Sequence, residues 1–154
     1  MPAALIDKVL GWARQGRCLL ILDIHVGWSN VEAELPYLKP WLTLPDVHLA
    51  LDPEWDMPPG VAPGKQIGTM SAADVNVAVD FLTQIVSEQK LPPKLLVVHR
   101  FVKSMVTEPE TIRTSNQIRL LVNMDGFGSP ERKLNSYRVA MAGMPTTLTG
   151  YKLF

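Results

Sequence analysis

An excess of charge of either sign, cysteine pairs and long apolar runs are all missing from this chain, and each absence removes a class of function. Fifteen basic side chains balance fifteen acidic ones, for a formal net charge of zero. The only adjacent basic pair is Arg132 with Lys133. A nucleic-acid partner held by charge is therefore not expected. The single cysteine, Cys18, cannot close an internal disulfide, and no CxxC or Cys/His finger spacing occurs. Cys18 reads as a small core residue. No apolar stretch reaches the roughly 18 to 20 residues that span a bilayer, and no basic segment followed by an apolar signal core opens the chain. As written, the chain is expected to be cytoplasmic, with no membrane partner.

What is present suits one domain: 154 residues, of which 47% are hydrophobic and 19% charged. From Ala4 to Gln15, the residues Leu5, Ile6, Val9, Leu10 and Ala13 recur at helical spacing and Gly16 follows as a C-cap. Cys18 to Val26 is a nearly continuous apolar run closed by Gly27, as in strands covered on both faces. Ser29 with Glu32 resembles a capping box, and Pro36 and Pro40 predict that the helix it opens is short or kinked. Val47 to Asp52 is the second strand.

Pro53 to Met70 is rich in proline and glycine and lacks periodicity, a length that suggests a lid or binding loop. Ser71 and Asp74 then cap an amphipathic helix carrying Val75, Val79, Leu82 and Ile85, with Pro92 and Pro93 beyond its end. Lys94 to Phe101 is the third strand. A less regular helical segment is expected over about Ser104 to Thr114. Ile118 to Met124 is the fourth strand, Ser129 and Pro130 open a helix, and Tyr151 to Phe154 is a fifth strand. Strands separated by helices imply an α/β fold of parallel β/α repeats with right-handed crossovers.

Residues two apart on a strand share a face, and three strands end with functional groups at that spacing. Asp23 pairs with His25, Asp52 with Glu54, and Asn123 with Asp125. His99 is a partial match, sharing its face with Phe101 across Arg100. Leu22, Ile24, Leu51, Val98, Val122 and Met124 take the opposite faces, where helices would pack. Parallel strands put their carboxyl ends on one side, so the triplets should converge. Six ionisable groups at one rim, Asp23, His25, Asp52, Glu54, His99 and Asp125, would shift one another's pKa values by charge and burial.

Each residue also has a plainer reading. An aspartate at a strand end often caps the next helix, and a histidine under a helix is often a hydrogen-bonded core residue. Trp55 is either a platform for a sugar ring or a plug under the long loop. Asn123 either positions a substrate hydroxyl or satisfies a turn, and Gly126 and Gly128 either admit a ligand to the backbone or make the bend before the helix. Sharper motifs are excluded. Gly64-Lys65 is no phosphate loop, because Pro59 stands five residues earlier and Gln66 replaces the required Ser or Thr. Gly126-Phe127-Gly128 lacks the third glycine of a dinucleotide fingerprint, and there is no GxSxG elbow.

At Leu22-Asp23-Ile24, Leu49-Ala50-Leu51-Asp52-Pro53-Glu54-Trp55, Val97-Val98-His99, Asn123-Met124-Asp125-Gly126-Phe127-Gly128 and Lys152-Leu153-Phe154, the sequence resembles an uncharacterised bacterial family. Its members carry labels such as hypothetical protein or lipoprotein and resemble (β/α) barrels related to glycosidases. The resemblance covers nearly the whole chain and implies that full-length relatives are secreted or lipid-anchored. A closed barrel needs eight strands and typically about 250 residues, against five strands counted here. The expectation is thus a partial TIM-barrel-like domain, corresponding to the middle and C-terminal part of such a protein. Its unpaired edges are expected to be completed by self-association as a homo-oligomer, the simplest being a homodimer.

Acids on neighbouring strand ends match the two-carboxylate demand of glycoside hydrolysis, with a carbohydrate or other small molecule as substrate and no cofactor. In that reading Glu54 is the acid, Asp125 or Asp52 the nucleophile or base, Asp23, His25, His99 and Asn123 orient substrate, and Trp55 stacks on the sugar. The alternative is a divalent-metal hydrolase with His25, His99 and Asp52 as ligands, drawing also on Asp23, Glu54 or Asp125. A third is a non-catalytic carbohydrate-binding half-barrel.

Overall fold

The computed structural model describes every residue except Phe127, Thr147 and Phe154, and of Asp125, Gly126 and Leu153 it describes the backbone. Helix α1 (Ala3–Gln15) buries Ile6 and Leu10, and Gly16 is its C-cap. That glycine stays right-handed (φ −79°), and the left-handed turn falls on Arg17 (φ 54°). Strand β1 (Leu20–Ile24) follows. Cys18, expected in the core, is exposed, because it precedes the strand and lies in the turn after α1, where its Sγ contacts the Gly16 carbonyl at 3.4 Å.

Helix α2 (Val31–Leu42) departs from expectation at its N-cap. Its N-cap is Asn30, not Ser29: Asn30 Oδ1 accepts from the backbone N–H of Ala33 at 2.9 Å. Asparagine caps as well as serine, and here it stands one residue nearer the helix. The helix runs its full 12 residues through Pro36 and Pro40. Both prolines are exposed, as is Glu32, so the carbonyls that lose a donor face water. The opposite face buries Val31, Leu35, Trp41 and Leu42 and holds the helix down.

Strand β2 (Val47–Leu51) leads into a 3-10 turn, Pro53–Trp55. The remainder of the long segment is tied at both ends. The Gly27 N–H donates to the Trp55 carbonyl and the Met57 N–H to the Gly27 carbonyl, at 2.9 Å each, and the Gly68 N–H donates to the Glu54 carbonyl at 2.8 Å. Gly68 is required there, since an added Cβ would lie 2.5–2.7 Å from the carbonyl oxygens of Pro53, Glu54 and Asp56. Strand β3 (Met70–Ser71) then opens α3 (Ala72–Gln89), which has the expected Ser71–Asp74 capping box.

After β4 (Lys94–His99) the expected helix over Ser104–Thr114 is absent. Two 3-10 turns, Lys103–Met105 and Pro109–Thr111, flank β5 (Val106–Thr107), which pairs in parallel with β3. Pro109 disfavours helical backbone in the residue before it, and Glu108 takes a left-handed conformation (φ 50°). Strand β6 (Ile118–Gly126), α4 (Pro130–Met141) capped by Ser129, and β7 (Thr149–Leu153) complete the order. The expected last position of β7, Phe154, lies outside the described residues.

The main sheet is five-stranded and parallel throughout, in the order β1-β2-β4-β6-β7. Each strand lies beside its predecessor, so crossovers of one hand place every helix on the same side. The core bears this out. Buried residues of all four helices, among them Ile6, Leu35, Leu82 and Ala140, cluster with Leu22, Ile24, Leu51, Val98, Val122 and Met124. The sheet does not close into a barrel: among the described residues β1 pairs only with β2 and β7 only with β6. The other face of the sheet therefore stays open as a groove of about 430 Å³.

Candidate functional site at the carboxyl rim

The shared direction of the strands brings Asp23, His25, Asp52 and His99 to one rim. His25 Nε2 lies 3.5 Å from Asp23 Oδ2 and 3.6 Å from Asp52 Oδ2, and His99 Nε2 lies 3.5 Å from the same Asp23 oxygen. One ligand atom each from Asp23, His25 and Asp52 falls within 4.8 Å of the others. His99 joins this group through Asp23 alone, so the tightest trio contains Asp23 where the sequence pointed to His99.

Asp23 and His99 sit on strands separated by β2, and the residue between them decides whether they can meet. Asp23 is in register with Ala50, and Ala50 with Val97, two residues before His99. Ala50 carries only a methyl group and is buried, which leaves the two side chains room to approach across β2. Its signal in the sequence is faint: a small residue two positions before Asp52, on the same face.

Exposure grades across the cluster. The side chains of Asp52 and His99 are 14% and 17% exposed, against 36% for Asp23 and 51% for His25. Burial raises the Asp23 pKa above the ordinary carboxylate range; His99 opposes this, Asp52 adds to it, and His25 opposes it.

Neighbours hold each ring in place. His25 stacks on Trp55, with centroids 5.4 Å apart and planes 11° from parallel. A Cβ on Gly64 would stand 3.5 Å from Trp55 Cζ3, so the long segment packs against the indole edge. One face of Trp55 is thus taken by His25. Asn123 Nδ2 lies 3.2 Å from His99 Nδ1, directly across the β4–β6 register. With that orientation the His99 proton is on Nε2, facing Asp23. With the amide turned over, Asn123 Oδ1 accepts from Nδ1–H and leaves the Nε2 lone pair free.

Asp52 performs the plain role as well as joining the cluster, since its Oδ1 accepts from the Glu54 N–H at 3.1 Å and caps the turn that carries Glu54 and Trp55. Glu54 is half-buried on that turn. Asp125 is in backbone register with Lys152, and its side chain lies outside what is described. Gly128 has φ 85°, which supports its reading as the bend before α4. Arg100 points to the helical side, fully buried, and donates to the carbonyls of Ala140 (3.1 Å), Ala142 (2.7 Å) and Lys103 (3.0 Å).

No described helix is long and apolar enough to cross a membrane. Compared with protein-family models, with curated proteins and with solved structures, the chain finds no match.

Proposed function

We propose that the protein is a hydrolase whose rim holds a divalent metal ion on Asp23, His25 and Asp52. The observation that carries this reading is the spacing of the nitrogen and oxygen atoms. Separations of 3.5 and 3.6 Å are too long for good hydrogen bonds, which lie at about 2.7–3.2 Å. They suit two ligands of one ion, because atoms about 2.0–2.2 Å from a shared tetrahedral centre stand roughly 3.3–3.6 Å apart. One imidazole with two carboxylates suits manganese, iron or zinc. Such an ion supplies a Lewis acid and a water of lowered pKa.

The chain's own groups do the rest. Trp55 fixes the plane of His25. Asp52 is anchored by the turn it caps. His99, steered by Asn123, stands beside Asp23 where it can exchange a proton with substrate.

A carboxylate-only glycosidase reading rests on a different observation: Asp52 caps the turn carrying Glu54, which places two acids on one short, hydrogen-bonded segment. There Glu54 would be the acid and Asp52 or Asp125 the nucleophile or base. Calorimetric titration with manganese or zinc separates the two, combined with a panel of chromogenic esters, phosphoesters and glycosides assayed with and without chelator. The metal reading expects one equivalent bound, lost in Asp52→Asn, and hydrolysis that stops in chelator and returns with the ion. Absence of stoichiometric binding, with glycoside cleavage that Glu54→Gln abolishes, would overturn it in favour of the second.

A further inference from the structure

The open groove on the uncovered face of the sheet is continuous with the rim. Its floor is apolar: Ile21 from β1, Ala50 from β2, Leu95 and Val97 from β4, and Leu121 from β6. One end is polar, closed by Asp23, His99 and Asn123. We infer that this groove is the subsite for an apolar tail, and that the substrate is an amphiphile of small-molecule size with a hydrolysable polar head at Asp23 and His99. The head rests on the metal reading above; the tail rests on the groove alone.

Three observations point to a small ligand. A volume of about 430 Å³ falls within the roughly 300–1,000 Å³ of small-molecule sites. The division between apolar floor and polar end runs along the strands, so a bound molecule must carry the same division along its length. On the β7 side the groove is kept open by Gly150, where a Cβ would come within 2.5 Å of Asn123 Oδ1 and 3.2 Å of Leu121 Cδ2. Any side chain there would press on the two residues that mark the polar end and the apolar floor.

Ala50 and Val97 at the centre of the floor are buried, and the residues around them meet water. Ile21 is 43% exposed and Leu95 and Leu121 are half-buried, so contact with a tail would remove apolar surface from water.

Straight-chain alkyl hydroxamates from two to ten carbons are the probe, because the head chelates divalent ions and the tail varies alone. Titrated into the manganese-loaded full chain, they are expected to bind about two- to threefold more tightly per added methylene, below the roughly fourfold that full burial of a CH₂ would give. Ile21→Gln and Leu121→Gln, both at positions that already meet water, should flatten that slope while acetohydroxamate binds as before. Thermal melts confirm that both variants fold.

Affinity independent of chain length, with the head still bound, would overturn the groove and leave the metal reading intact. A chain-length slope that persists in protein shown by elemental analysis to hold no metal supports the groove and sinks the metal reading. A dimer in light scattering that Ile21→Gln dissociates, with no chain-length slope, would mean that a second copy covers this face and would overturn the proposal.

Discussion

The imidazole of His25 lies flat against the indole of Trp55, 5.4 Å between centroids and 11° from parallel. A half-exposed histidine at a strand end would otherwise sample several rotamers, and the stack selects the one that turns Nε2 toward Asp23 and Asp52. Trp55→Ala is therefore expected to weaken manganese or zinc binding by about tenfold, the lower end of what loss of a ligand's supporting partner costs. Trp55→Phe should recover most of it. Calorimetry on the three proteins checks this, and unchanged affinity in Trp55→Ala would remove Trp55 from the site.

Ala50→Leu should push Asp23 and His99 apart. Ala50 lines the groove but is itself buried, so overpacking should cost the fold about 1–3 kcal/mol. Turnover should fall about tenfold or more while stoichiometric metal binding is kept. Full activity in the Ala50→Leu variant would show that the contact across β2 is dispensable.

Asp56 predicts a pH dependence of stability. Burial first, and Asp74 second, push its carboxyl up to about 6. The unfolded chain loses this proton near pH 4, so between about 4 and 6 the unfolded state binds fewer protons than the native one. The contribution of Asp56 to stability therefore falls as pH rises through that window and stays low above it. Asp56→Asn should raise stability at pH 7 by about 1–2 kcal/mol and leave it nearly unchanged at pH 4. Urea titrations at the two pH values test the sign.

Arg100→Met should destabilise the fold by about 2–4 kcal/mol, because three carbonyls at the end of α4 and in the turn after β4 lose their donor. Metal binding at the rim, on the other face of β4, should survive at denaturant concentrations where the variant is still folded.

Much of the rim was readable from the sequence because strand geometry has a period of two. Once Asp23, His25, Asp52 and His99 are placed on parallel strands, their convergence follows, and so does the burial of Leu22, Val98 and Met124 on the other side. What could not be read depends on neighbours distant in sequence or on near ties between local signals. Nothing in the identity of Ala50 announces that it spaces two functional groups on other strands. Ser29 and Asn30 are comparable caps one residue apart. Pro36 and Pro40 interrupt α2 only if their side of the helix is buried, and its exposure is decided by packing. Cys18 lies just short of the strand that would have buried it.

Residues 58–67 form a largely exposed excursion whose two ends are fastened, at Gly27 and at the carbonyls around Gly68. The indole N–H of Trp28 also grips the Val61 carbonyl at 2.7 Å. A protease cutting near Pro58 or Gly60 would thus sever the covalent thread without releasing either anchor. The cleaved chain should keep its stacked His25 and the turn that Asp52 caps, and run as two fragments only once it is denatured.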